Sequence, residues 1–367
     1  MKTRLILLGA GKIGDAILTL LSATGDFDIT VADRDPAQLA LIGKVGKVGM
    51  SDVRLLQADL GDAATVGDLV GGHVVTLSAC PYFLTPIIAA AAKKSRSHYF
   101  DLTEDVDSTR IVKQLAVGAE TAFVPQCGLA PGFISIVAND VASRFDTLRD
   151  VHMRVGALPI YPSNALKYNL TWSTDGLINE YCNPCEAIVD GQLRETSALE
   201  ENEHFSLDGI DYEAFNTSGG LGSLCESLAG KVQNLNYKTV RYPGHRDIVK
   251  MLVRDLQLGQ HDRRHILKEV LEASIPMTRQ DVVLVFVSVV GMRDGRLEQE
   301  TFAEKIYSRR INGQLLSAIQ LTTAAGICAM VDLVLQGKLP GHGLVRQEQV
   351  SLEDFLGNRF GCHFTAA

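Results

Sequence analysis

The sequence predicts an α/β fold, a Rossmann-type doubly wound parallel sheet joined to a second, α+β domain. Three observations carry this. Through about the first 127 residues, short apolar runs alternate with helical patterns, as strands linked by crossover helices do. Gly9, Gly11 and Gly14 crowd into six residues directly behind the first apolar run. From about residue 150 the strand-like runs follow one another without regular helical crossovers, which suits antiparallel pairing.

Taken in order, residues 4–8 (RLILL) read as the first strand and 12–25 as a helix ending at Gly25. Residues 27–33, 53–59, 73–79, 97–103 and 121–127 read as the next five strands, with helical stretches such as 86–94 between them. Beyond 150, residues 151–159, 166–172 and 236–245 read as strands. Residues 282–307 read as a hairpin around Asp294-Gly295, a dipeptide suited to a tight turn. A long apolar helix covers 314–336, with Gly337 behind it and Pro340 as a stop signal.

Composition narrows the class. The 367 residues are enough for two domains. A chain 46% hydrophobic and 21% charged suits a soluble globular protein. The net charge of −8, without long basic runs, argues against nucleic-acid partners. Residues 5–8 are too short for a secretion signal. The apolar stretch 315–335 is interrupted by Gln320, Thr322, Thr323 and Asp332, so a buried helix is expected rather than a membrane span. A cytoplasmic location follows as the expectation. Seven scattered cysteines imply no disulfide framework. Cys182 and Cys185 form a C-x-x-C without the second pair that a structural zinc site wants, so no metal is expected.

The glycines gain meaning from their setting. G-x-G-x-x-G follows a strand and opens a helix, as a dinucleotide-binding turn must. Gly9 permits the tight turn, Gly11 lets the backbone approach a pyrophosphate, and Gly14 lets the helix pack closely on the sheet. Asp33 stands 19 residues after Gly14, at the end of the second strand. A carboxylate there accepts from the adenine ribose hydroxyls and repels a 2′-phosphate, so NAD is favoured with NADP possible. Arg34 blurs the distinction. Lys12, Ile13, Asp59 and Ser78 complete the expected cofactor-binding set.

Three stretches supply candidates for a substrate site. HYFDLTED (98–105) ends a sheet strand, where α/β ligands bind. Asp101 and Glu104 either face that cleft or cap the next helix. CGLAPGF (127–133) is a Gly/Pro-rich corner entering a helix. KTVRYPGH (238–245) gathers Lys238, Arg241 and His245 about a Pro-Gly turn. A planar arginine suits a carboxylate, and a histidine can move protons near neutral pH. Lys167, Tyr168 and Trp172 either line a pocket or belong to the core.

Taken together, LGAGKIG (8–14), FDLTED (100–105), CGLAPGF, GALP (156–159), NALKYNLTW (164–172) and TVRYPGH (239–245) resemble the saccharopine dehydrogenase family, which includes lysine 6-dehydrogenases. They span most of the chain in the family's order. The resemblance implies a Rossmann domain over 1–127 and 312–367, the C-terminal helix returning to it. It implies an α+β substrate domain over 128–311, often the contact of a homodimer. It implies oxidation of the ε carbon–nitrogen bond of lysine or of saccharopine, giving 2-aminoadipate 6-semialdehyde. The chain departs from the family pattern at Ala130, where saccharopine enzymes carry Asp, and at Thr174-Asp175, where they often carry an arginine. Losing a cation and gaining Asp175 suits a substrate with a free ammonium group, and tilts the expectation toward lysine. Asp101 and His245 are then the expected proton carriers and Arg241 the carboxylate anchor, with Lys167, Trp172 and Asp175 around the substrate. Two other readings stay open, a carboxynorspermidine-type reductive condensation and a non-enzymatic NAD(P) sensor.

Overall fold

The computed structural model describes residues 2–46 and 52–365. The chain begins with β1 (Thr3–Leu8), α1 (Lys12–Ser22), β2 (Phe27–Asp33), α2 (Pro36–Gly46), β3 (Asp52–Gln57) and α3 (Ala63–Val70). It continues through β4 (Val75–Ser78), α4 (Thr85–Ser95), β5 (His98–Asp101), α5 (Val106–Ala116) and β6 (Ala122–Val124). All six strands pair in parallel in the order β6-β5-β4-β1-β2-β3. The order reverses between β4 and β1, beside the glycine turn. Alternate residues of β1 feed the two faces of this sheet: Leu5 and Leu7 join one apolar cluster, Ile6 and Leu8 the other, under α3, α4 and α5.

After α6 (Phe133–Ala142) come β7 (Thr147–Pro159), α7 (Thr174–Cys182), the hairpin β8 (Cys185–Val189) and β9 (Gln192–Thr196), β10 (Glu203–Leu207), β11 (Ile210–Asn216) and α8 (Leu224–Ser227). Then follow β12 (Asn234–Arg241), α9 (His245–Lys250), α10 (Arg264–Ser274), β13 (Asp281–Arg293) and β14 (Arg296–Tyr307). Their sheet runs β10-β11-β12-β7-β13-β14 and is antiparallel except for β12 against β7. The β13–β14 turn is Asp294-Gly295, both with positive φ (50° and 74°), as a two-residue hairpin of this kind requires.

Residues 166–172 are not a strand. Leu166, Tyr168, Leu170 and Trp172 alternate like one, yet the Asn164 side chain folds the segment over. Its Nδ2 donates to the Tyr168 carbonyl (2.6 Å) and its Oδ1 accepts from the Tyr168 amide (3.3 Å). A single bridge joins Leu170 to Met277.

The chain returns through β15 (Arg309–Ile311), β16 (Gln314–Leu316), α11 (Ala318–Leu335), β17 (Gly343–Leu344) and α12 (Leu352–Leu356). The apolar helix is therefore shorter than its pattern, because 314–316 pair as β16. Ser317 caps α11 through the Gln320 amide (3.2 Å), and Asp281 accepts from the Ala318 and Ile319 amides (2.6 and 3.0 Å). Long and apolar enough to cross a membrane by composition, α11 is instead 89% buried within the protein. It packs on α1, and β17 extends the parallel sheet beside β6. One apolar cluster thus runs from β1 and α1 through α11 and α6 into β7 and β13.

Candidate functional site

The glycine turn is shut behind and open in front. Gly9 has φ of 102°, and a Cβ there would lie 2.7 Å from the Ala79 carbonyl oxygen. A Cβ on Gly14 would lie 2.1 Å from the Gly9 carbonyl oxygen. At Gly11, the N-cap of α1, a Cβ would meet nothing within 4 Å, and no side chain caps the helix. The first N–H groups of α1, including those of Lys12 and Ile13, are left for an anion. Asp33 ends β2 and ties the turn down. Its Oδ2 accepts from the Ala10 amide (2.7 Å) and its Oδ1 from the Asp35 amide (2.9 Å). Each oxygen keeps a lone pair for a ribose hydroxyl.

Arg34 is exposed and forms no hydrogen bond through its side chain among the described residues. Asp59 lies exposed past β3, holding the Gly61 amide (2.9 Å). Ser78 ends β4, buried, its Oγ without a partner. The residues at these strand ends fit a dinucleotide.

Asp101 ends β5 and is 1% exposed. Its Oδ1 accepts from the Thr103 and Gln126 amides (3.0 and 2.9 Å), while Oδ2 has no partner. Burial pushes its carboxyl up to about 6, against those amide bonds. It does not cap the next helix. Asp105 does so, by accepting from the Ser108 amide (2.8 Å).

In the second domain, Arg241 and His245 come together through Tyr181, on α7. Arg241 Nε donates to the Tyr181 hydroxyl (3.0 Å), which meets His245 Nε2 (3.0 Å), and His245 Nδ1 meets the Leu166 carbonyl (2.8 Å). A carbonyl only accepts, so Nδ1 carries the proton and Nε2 accepts from Tyr181. Burial, then the Arg241 charge, pushes His245 down to about 3. The ring is neutral with both nitrogens used. The Arg241 guanidinium lies 5.0 Å over the Tyr168 ring, and Nη1 donates to the Val240 carbonyl (2.9 Å). Nη2 meets no acceptor among the described residues, although Arg241 is 3% exposed.

The other expected substrate residues sit apart from this group. Lys167 is exposed, and its ammonium donates to the Pro243 carbonyl (2.9 Å). Asp175 pairs with Lys268 on the outer side of α7 (2.6 Å). Lys238 is bound to Glu203 and the Glu201 carbonyl (3.1 and 2.6 Å), three strand positions from Arg241 and so on the opposite face. Trp172 packs on Gly176 of α7, where a Cβ would lie 2.4 Å from its ring. Cys182 and Cys185 are free thiols, both raised by burial.

Two carboxylates link Asp101 electrostatically to Arg241. Glu104 follows β5, and its Oε1 would lie 3.1 Å from a Cβ on Gly176. Glu180 is one helical turn beyond Gly176, on the same face of α7, and is 8% exposed. Neither carboxylate accepts a hydrogen bond from another described residue, and Glu104 has only its own amide. Burial pushes Glu180 up to about 8, against the pull of Arg241 and with help from Glu104. Burial pushes Glu104 up to about 7, helped by Asp105 and Asp101. Glu180 was hidden in the sequence. Its only signal was its spacing of four from a glycine beside an aromatic residue.

Two family profiles match the chain. A family profile described as the saccharopine dehydrogenase NADP binding domain matches residues 5–122, and the saccharopine dehydrogenase C-terminal domain matches residues 128–358. The chain is 22% identical over 287 residues to saccharopine dehydrogenase (NADP(+), L-glutamate-forming) of Saccharomyces cerevisiae, covering 73% of this chain and 61% of that protein. It is 23% identical over 201 residues to mitochondrial alpha-aminoadipic semialdehyde synthase of Mus musculus, covering 52% of this chain and 21% of that one. The match therefore spans less than two thirds of either relative. The fold is that of apo saccharopine dehydrogenase (L-Glu forming) from S. cerevisiae, with a TM-score of 0.76 at 18% identity over 99% of this chain and 96% of that one.

Proposed function

Since this chain belongs to the saccharopine dehydrogenase family, we propose that it is an NAD(P)-dependent oxidoreductase that oxidises the ε carbon–nitrogen bond of an amino acid, lysine in preference to saccharopine. The observation that carries this is the buried Arg241, braced by Tyr181 and His245, its Nη2 without an acceptor among the described residues and its charge coupled to Glu180. A planar guanidinium held this way suits a substrate carboxylate. Lysine is favoured by charge. Saccharopine brings further carboxylates, and Lys167 and Lys238 are engaged elsewhere.

A bound nicotinamide would supply the hydride acceptor, and Gly9, Gly11, Gly14 and Asp33 would hold its dinucleotide. The substrate amine must lose a proton before its carbon gives up hydride. Asp101 retains a free oxygen, Oδ2, for proton handling. His245, with no free nitrogen, serves as a positioning residue for Tyr181 and Arg241. The protein works as a symmetric dimer in this reading, the commonest closed assembly.

The test is reduction of NAD⁺ and NADP⁺ by the purified protein, with L-lysine and L-saccharopine in parallel. Turnover with lysine alone supports the reading. Turnover with saccharopine alone moves the substrate assignment. Dinucleotide binding without turnover of either overturns the activity.

A further inference from the structure

Arg241 accounts for one end of an amino acid, and the opposite end also has a receptor. We propose that Glu180 and Glu104 form a subsite for the distal cationic amine of the substrate, selecting aliphatic amino acids that end in an ammonium group. This deepens, and rests on, the proposed amine oxidation.

The two carboxylates come from different domains and meet only in the folded chain. Glu104 leaves the C-terminal edge of the parallel sheet three residues after Asp101. Glu180 projects from α7 on the Gly176 face, and Gly176 lacks the Cβ that would crowd both Glu104 Oε1 and the Trp172 ring. Closure is enforced from behind. The Ser218 amide donates to the Glu180 carbonyl (3.0 Å), and a Cβ on Gly219 would lie 2.5 Å from the Glu104 carbonyl oxygen.

Among the described residues the buried Glu180 carboxylate has no donor and the half-buried Glu104 carboxylate has only its own backbone amide, an expensive state for such acceptors unless a ligand answers it. A second set of orphans lies beside them. Arg241 Nη2 has no acceptor, and the Tyr168 hydroxyl, in a side chain 1% exposed, has no partner. Electrostatic coupling links Glu180 with both Arg241 and Tyr168. Unmatched acceptors thus lie next to unmatched donors, the complement of a zwitterion carrying a further positive charge. Asp175, one turn earlier on α7, is already neutralised by Lys268 and is not that receptor.

The groups coupled to the pair are Arg241 from β12, Tyr181 from α7, Cys185 from β8, Tyr168, Tyr237, Asp101 and Asp105. Among them only Arg241 is cationic. Without ligand, burial keeps protons on the pair near neutrality, Glu180 at about 8 and Glu104 at about 7. An arriving ammonium favours the ionised carboxylates and displaces a proton. Affinity therefore rises as pH rises from about 6.5 to 8, while the amine itself stays charged.

The test is calorimetric titration of the NADH-bound protein, which cannot turn over, with L-lysine and with L-norleucine, the same chain length without the amine. Lysine is expected to bind at least tenfold more tightly, increasingly so toward pH 8. Glu180→Gln is expected to erase that preference and its pH dependence while leaving norleucine affinity intact, which also reports a folded site. Glu104→Gln is expected to reduce it. Equal binding of the two ligands by the wild type overturns the subsite, as does a preference untouched by both substitutions. Lysine binding that depends on Glu180 in a protein that fails to oxidise lysine keeps the subsite and removes the activity. Turnover of an amine without that dependence does the reverse.

Discussion

At the scale of single residues, Asp101 and His245 were expected to share one task, and their surroundings separate them. Asp101 keeps Oδ2 free and a carboxyl raised to about 6, so Asp101→Asn should lower kcat at least tenfold with NADH affinity nearly unchanged, read by steady-state kinetics beside a binding titration. His245 is neutral and doubly bonded. His245→Gln should raise the substrate KM about tenfold more than it lowers kcat, because it loosens Arg241. A proton shuttle would instead lose kcat about a hundredfold or more. Residue identities announced Arg241 and His245 but not this division of labour. That depends on which atoms the neighbours occupy, and Tyr181 and Leu166 come from other parts of the chain.

The elements were legible in proportion to how local their causes are. The turn from β1 into α1 is dictated by clashes among residues within it, so three glycines sufficed to read it. Gly14→Ala sets a Cβ 2.1 Å from the Gly9 carbonyl oxygen. It should lower dinucleotide affinity at least tenfold in a fluorescence titration while the second domain keeps its circular dichroism. Helix α7 shows the opposite case. Its sequence named a charged residue, Asp175, yet which side faces inward is decided by the packing of Trp172, Gly176 and α10. That packing sends Asp175 outward to Lys268 and Glu180 inward. Residues 166–172 misled for a related reason: their alternation had the strand period, but Asn164 satisfied the backbone that a strand would have offered to a sheet.

At the scale of the whole molecule, the buried titratable groups set how stability varies with pH. Glu180, at about 8, and Glu104, at about 7, are raised above their unfolded values. Their stability is full below about 4.5 and is lost as pH rises through those values. His245, at about 3, is depressed. Its neutral form is safe above about 6.5, and its contribution is lost as pH falls below that. Between pH 6.5 and 8 only the carboxyl effect remains of these three, so the melting temperature of the ligand-free protein should fall across that window. Glu180→Gln should flatten the fall. A melting temperature that rises from 6.5 to 8 would contradict the burial of Glu180. The apolar cluster shared by both sheets leads to a further expectation. A chain stopped at residue 311 lacks α11 and should give a much smaller soluble fraction than the full chain.

The docking of α11 on α1 also orders events in time. Thr19 bonds Gln314, just ahead of α11, across 295 residues (2.9 Å), so α1 waits for partners made that much later. Until α11 is made, the nascent parallel sheet carries an uncovered seam beside its glycine turn. Long-range closure of this kind is slow, and it leaves apolar surface exposed meanwhile. A newborn chain with such a seam gains from shielding, and the helix behind the glycine turn is backed only once α11 has docked.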